Sequence, residues 1–202
     1  GLQAAAQAAV VTGLVASNRR RKRRHPAVNS FPTVDPADRP LERTTITTYT
    51  FGEDVYRAML EAIGQARHEI LFESFILKDD AVGMAFKQAL IEAAERGVAV
   101  HVVFDGFANL VVSREFKRWP DPIHKLEYPV FRPQVFLGPR HWGRDHRKIL
   151  VVDGEVGFVG GYNIGEEYAT QWRDTHVRIT GEAVWELENG FVDFWNHFRP
   201  KT

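Results

Sequence analysis

An α/β sandwich, with helices packed on a largely buried sheet, is the fold class the sequence predicts. Helical and strand-like patterns alternate at short spacing from residue 52 onward. The strand-like runs are nearly continuous in apolar residues, as in sheets covered on both faces. A length of 202 residues with 44% hydrophobic content is enough for one well-filled core.

Taken in order, "GEDVYRAMLEAIGQAR" places Val55, Met59, Leu60 and Ile63 at helical spacing. "EILFESFIL" is a short strand-like run bounded by charge. "AVGMAFKQALIEAAERG" carries Val82, Phe86, Leu90 and Ala93 on one stripe, with Gly97 as the expected C-terminal cap. "VAVHVVFD" is a buried-type strand ending in Asp105. The stretch from Phe107 to Pro139, with several prolines and a basic patch in "SREFKRW", is expected to be a surface excursion. Three further strands are predicted at "KILVVD", "EVGFVGG" and "THVRIT". A last helix, "GEAVWELENGFVDFWNHF", turns Val184, Leu187, Phe191 and Phe194 or Trp195 inward. No internal repeat is visible.

Residues 1–43 have a different character. "GLQAAAQAAVVTGLVAS" is small and mostly apolar and shorter than a membrane span, but it runs straight into RRRKRR. That juxtaposition predicts the end of a transmembrane helix with a cytoplasmic basic flank, and hence a membrane location with the folded part on the cytoplasmic side. The other reading is a disordered or loosely helical leader. Residues 25–43 hold four prolines and read as a linker, so the expected division is 1–43 and 44–202. The chain starts with Gly1 and not methionine, which suggests a piece or a processed form.

Charge argues against one class of partner. The net formal charge is zero, but residues 44–202 carry 18 Lys and Arg against 23 Asp and Glu. A nucleic-acid-binding domain carries the opposite balance, so nucleic acid is not the expected partner. The chain has no cysteine, which removes thiolate chemistry and thiolate metal sites.

The chemistry concentrates in "DHRKILVVDGEVGFVGGYN". By spacing this is H-x-K-x4-D-x6-G-G-x-N. His146 and Lys148, two apart on a strand, share a face. Asp153 ends the strand, Gly160 and Gly161 end the next one, and Asn163 adds an amide at the same rim. Glycines there let backbone approach an anion closely. Imidazole, ammonium, small backbone groups and an amide together suit holding a phosphate while the imidazole attacks it or passes a proton.

This stretch resembles the HKD motif of the phospholipase D superfamily. "FESFILKDDAVGMAFKQALIEAAERGVAVHVVFDGF", "HWGRDHRKILVVDGEVGFVGGYNIGEEY" and "WRDTHVRITGEAVWELENGFVDFW" are similar to consecutive segments of its bacterial cardiolipin synthase branch, over most of residues 69–195. The resemblance implies an α-β-α sandwich with a mixed sheet and helices on both faces. It implies catalytic roles for His146, Lys148, Asp153, Asn163 and Asp174. His146 would be nucleophile or partner acid, and Asp174 in "WRDTH" the carboxylate orienting it through its other ring nitrogen. Lys148 and Asn163, with Gly160 and Gly161, would hold phosphoryl oxygens. Asp153 is expected to secure the strand end and its turn more than to touch substrate.

No cofactor and no metal is implied, and no His/Asp/Glu cluster has metal-ligand spacing. Of the remaining candidates, His101 reads as a sheet histidine and His141 as a possible cleft residue. His176 is expected on the face away from Asp174, Glu73 is a strand residue near the site, and Glu166 and Glu167 are helix-start charges.

Members of the superfamily use two such motifs facing one another, and this chain has one. It therefore resembles an N-terminal half, completed by a second HKD motif in cis or in a homodimer mate. The implied function is phosphodiester transfer or cleavage on a glycerophospholipid such as phosphatidylglycerol, through a phosphohistidine. The alternatives are a homodimeric metal-independent nuclease of the same superfamily, or a non-catalytic remnant held on anionic lipid by RRRKRR, at about 1 kcal/mol per basic residue.

Overall fold

The computed structural model describes residues 33–131 and 143–199, together with Gly13, Ala16, Ser17 and Arg20. The chain divides between Thr33 and Val34 into two compact units. The expected membrane helix, the basic run and His141 lie wholly or mostly outside the described residues. Among the described residues, no helix is long and apolar enough to cross a membrane.

The second unit is built on one eight-stranded sheet. In chain order its elements are β1 (Ala37–Leu41), β2 (Thr44–Tyr49), α1 (Gly52–Gln65), β3 (Glu69–Ser74), α2 (Ala81–Glu95), β4 (Ala99–Asp105), β5 (His124–Tyr128), β6 (Lys148–Val152), β7 (Val156–Gly160), α3 (Glu166–Thr170), β8 (His176–Gly181) and α4 (Val184–Phe198). Strand order is β1-β2-β8-β7-β6-β3-β4-β5. The β3–β4 and β4–β5 pairs are parallel and the others antiparallel, so the sheet is mixed.

The period-two alternation of each strand separates two cores. Ile70, Phe72, Val100, Val102, Leu150, Val152 and Phe158 face α1 and α2, whose Val55, Met59, Ile63, Phe86 and Leu90 are buried against them. Leu71, Val103, Leu126, Ile149 and Val151 face α4 through Val184 and Phe191. Helices thus cover both faces, as predicted. The Asp80 carboxylate caps α2 by accepting the Gly83 N–H at 3.0 Å, and Gly97 leaves it at φ +91°.

Three strands were not apparent in the sequence. β1 lies inside the stretch read as a linker, and the second unit begins before the expected boundary at residue 44. Pro40 is compatible with β1 because this is an edge strand, exposed at all five residues. β2 reads "TTITTY", too polar to announce itself, and β5 lies within the expected surface excursion.

Candidate functional site

Because β6 runs antiparallel to β3 and β7, the start of β6 meets the ends of those strands at one margin of the sheet. Lys148 stands opposite Ser74, and Gly160 stands opposite His176, the first residue of β8. Most of the sequence-predicted residues gather at this margin.

His146 lies two residues before β6 begins, in extended chain and not in the strand itself. The alternation still holds. Lys148 Nζ lies 3.3 Å from His146 Nδ1 and donates to the His146 carbonyl oxygen at 2.7 Å. The Phe75 ring packs on the imidazole with centroids 4.5 Å apart and lies 5.0 Å from Lys148 Nζ. His146 is exposed, whereas Lys148 is only 4% exposed. Burial lowers the Lys148 pKa to about 8, opposed by the nearby charges of Asp145 and Asp174. The result is a solvent-facing imidazole backed by a buried ammonium.

Two ion pairs, each a half-buried arginine on a buried carboxylate, hold the chain on either side of His146. Arg144 donates to both carboxylate oxygens of Asp105, at 2.7 and 2.9 Å, and Asp105 is fully buried at the end of β4. Arg147 donates from Nε to Glu73 at 2.8 Å and from Nη1 to the Gly190 carbonyl of α4 at 2.7 Å. Asp145 completes this cluster, 3.5 Å from Arg147 Nε. The Glu73 pKa is pushed up to about 8, first by burial and then by the Asp145 charge, with Arg147 opposing. These partners were only partly legible in sequence. A glutamate inside "EILFESFIL" and an aspartate closing "VAVHVVFD" signal buried pairing, but they do not name the arginines.

Asn163 is 9% exposed, and its Oδ1 accepts the Ile76 N–H at 3.2 Å, just beyond β3. Its carbonyl accepts from the Tyr56 hydroxyl. Asp174 is exposed and rests on Gly161, where an added Cβ would lie 2.0 Å from the carboxylate. Among the described residues, that carboxylate accepts the Thr175 N–H at 2.8 Å and makes no hydrogen bond to His146. Gly160 is pressed on β8, where a Cβ would stand 2.4 Å from the Thr175 oxygen and 2.5 Å from His176 Cα.

His176, expected on the face away from Asp174, begins β8 at this margin. It is 1% exposed, with its ring 6.3 Å from that of Tyr162. Burial, then the Lys148 charge, lowers its pKa to about 4, so it is a neutral imidazole. Only its place opposite Gly160 reveals this, and strand pairing is not written in one strand's residues.

Asp153 is not brought to the others. It lies five residues along from Lys148, about 16 Å at strand rise. There it adopts φ +53° and accepts the N–H groups of Arg67, His68 and Glu69 at 2.8–2.9 Å. A polar cavity of about 600 Å³ at that end is lined by Glu61, Arg67, His68, Asp153, Glu155 and Arg178 and contains none of the other predicted residues. Among the described residues, no group of three or more His, Asp and Glu could hold a metal ion.

Residues 59–195 match the family described as "Cardiolipin synthase, PLD-like domain". The chain is 36% identical over 162 residues to cardiolipin synthase 1 of Bacillus cereus, covering 76% of this chain and 32% of that protein. It is 37% identical over 173 residues to a cardiolipin synthase of a Geobacillus species, covering 81% and 34%. The chain thus spans about a third of the length of these relatives. Among solved structures it is similar in fold to NucT from Helicobacter pylori, with TM-score 0.62, 12% identity, and 76% and 96% coverage of the two chains. It is likewise similar to the phospholipase D family member Nuc from Salmonella typhimurium, with TM-score 0.56, 18% identity, and 77% and 97% coverage.

Proposed function

The chain belongs to the family of cardiolipin synthase, PLD-like domains, and from that premise we propose that it supplies one half of a phosphatidyltransferase acting on glycerophospholipids. The observation that carries this reading is the buried Lys148 ammonium 3.3 Å from the exposed His146 ring. A fixed cation behind an accessible imidazole suits attack on a phosphodiester, because it offsets the charge that builds on the phosphoryl oxygens.

In the proposed reaction a ring nitrogen of His146 bonds to phosphorus as the bond to the leaving alcohol breaks. A second histidine, from another HKD half in cis or in a homodimer mate, gives that alcohol its proton. An acceptor alcohol then attacks phosphorus, passes its proton to the second histidine, and frees His146. With phosphatidylglycerol as donor and acceptor, the products are cardiolipin and glycerol; with water as acceptor, the outcome is hydrolysis. Lys148 and Asn163 hold the phosphoryl oxygens while Gly160 and Gly161 keep the rim narrow. Asp174, whose charge acts on Lys148 beside the ring, is assigned the orienting of His146 once substrate is bound. The basic run near the N-terminus keeps this half at the cytoplasmic face of the membrane.

The test is incubation of the complete protein with labelled phosphatidylglycerol, in chelator, with acid-labile phosphoenzyme and product both measured. His146→Ala is expected to abolish both, and retention of either overturns the assignment. Cleavage of plasmid DNA without lipid turnover would replace this reading with the nuclease.

A further inference from the structure

The loop leaving β4 carries an apolar tip for which the reaction has no use. Phe107, Leu110 and Val111 are 54%, 58% and 96% exposed. The tip stands on a firm base. Asp105 accepts the Ala108 N–H at 2.8 Å, and Asn109, 1% exposed, donates to the carbonyls of Asp105 at 2.7 Å and Phe75 at 2.9 Å. Asn109 Oδ1 also accepts the Leu77 N–H at 2.9 Å. Phe75 is the residue whose ring packs on His146, so one buried asparagine ties the tip to the catalytic margin. Beyond the tip, Val112 and Phe116 turn back into the core, and Arg114 and Arg118 remain exposed.

We propose that this tip docks the catalytic margin onto an anionic lipid bilayer, with Phe107, Leu110 and Val111 entering the acyl boundary and Arg114 and Arg118 meeting headgroup phosphates. The proposal rests on the reading above that the substrate is a phospholipid. The order of groups selects a bilayer over a protein partner: the exposed Phe107, Leu110 and Val111 are followed by the exposed Arg114 and Arg118, with Glu115 the one acid between them, as the apolar and anionic layers of a membrane require. Docking here would hold the His146 margin at the lipid surface through the Asn109–Phe75 link.

The 202-residue chain has no cysteine, so Val111→Cys accepts a single environment-sensitive dye. On vesicles of phosphatidylglycerol and phosphatidylcholine its emission is expected to shift to the blue and to be quenched by a lipid-borne quencher. A dye on Glu155→Cys, at the opposite end of β6, should not respond. Leu110→Cys provides a second reporter. An unmoved Val111 dye on a chain that sediments with vesicles overturns the proposal, since the basic run alone would then be binding. So does a shift that needs only higher protein concentration, which would assign the tip to a second copy. An equal response on pure phosphatidylcholine removes the headgroup role of the arginines and overturns the anionic specificity. Phosphoenzyme measured on the same dye-labelled protein, with His146 intact, separates the two ideas. Insertion in a protein that forms no phosphoenzyme sinks the reaction and leaves the docking; phosphoenzyme on lipid without insertion does the reverse.

Discussion

The Arg147 guanidinium and the Glu73 carboxyl meet inside the protein, Nε to Oε1 at 2.8 Å, and through the Gly190 carbonyl the same arginine reaches α4. The residue after His146 is thereby anchored to a neighbouring strand and to the helix on the far face of the sheet.

Removing that anchor should cost less than an ordinary buried pair. A stranded carboxylate costs about 3–5 kcal/mol, but burial and the Asp145 charge already raise the Glu73 pKa, so without its arginine Glu73 can take up a proton and Arg147→Met is expected to cost about 1–3 kcal/mol. The pH dependence follows the raised value. Stability from Glu73 is fully present below its unfolded pKa of 4.5 and is lost as pH rises through about 8. Thermal unfolding between pH 5 and 9 should show the wild type losing on the order of 2 kcal/mol, with Glu73→Gln showing a flatter profile.

Lys148 should trade stability for chemistry. Its folded pKa of about 8 lies below its unfolded 10.5, so the folded state gains stability as pH rises between those values and is penalised below them. Lys148→Met is expected to raise unfolding free energy at pH 7 by about 1–3 kcal/mol in denaturant titrations. It should also lower phosphoenzyme formation by about a hundredfold or more. In the wild type that rate should decline as pH rises through about 8.

The two glycines should separate. A methyl at Gly160 meets backbone, 2.4 Å from the Thr175 oxygen, so Gly160→Ala is expected to destabilise by more than about 2 kcal/mol. The three atoms nearest a methyl at Gly161 all belong to the Asp174 carboxyl group, an exposed side chain that can swing aside. Gly161→Ala should therefore keep its unfolding midpoint and lose turnover, which paired melting and activity measurements on both variants would check.

Asp153 should behave as a structural brace. Burial pushes its pKa up, but the backbone N–H groups of Glu69, Arg67 and His68 outweigh that and hold it below the usual value. Its contribution is present above the unfolded pKa of 3.8 and is lost as pH falls through the lower folded value. Asp153→Ala is expected to cost about 2–3 kcal/mol, with phosphoenzyme formation per folded molecule unchanged.

Sequence alone revealed what periodicity encodes. The apolar stripes of α1, α2 and α4 and the continuous strands β3, β4 and β6 are visible because burial imposes their pattern. β1, β2 and β5 escaped because an edge strand with Pro40 and a threonine-rich strand carry little apolar signal. At the site, H-x-K spacing alone placed His146 beside Lys148, since alternation extends past the strand's first hydrogen bond. The arginine anchors and the buried His176 depend on strand order, which no local window contains.

The outermost strand has one more consequence. Ala37–Leu41 turns Asp38, Arg39 and Pro40 toward solvent along its whole length. An incoming ribbon would find charge and a missing amide hydrogen where it needs a regular ladder. Growth by sideways addition is blocked on that flank, so fibrous stacking there is disfavoured.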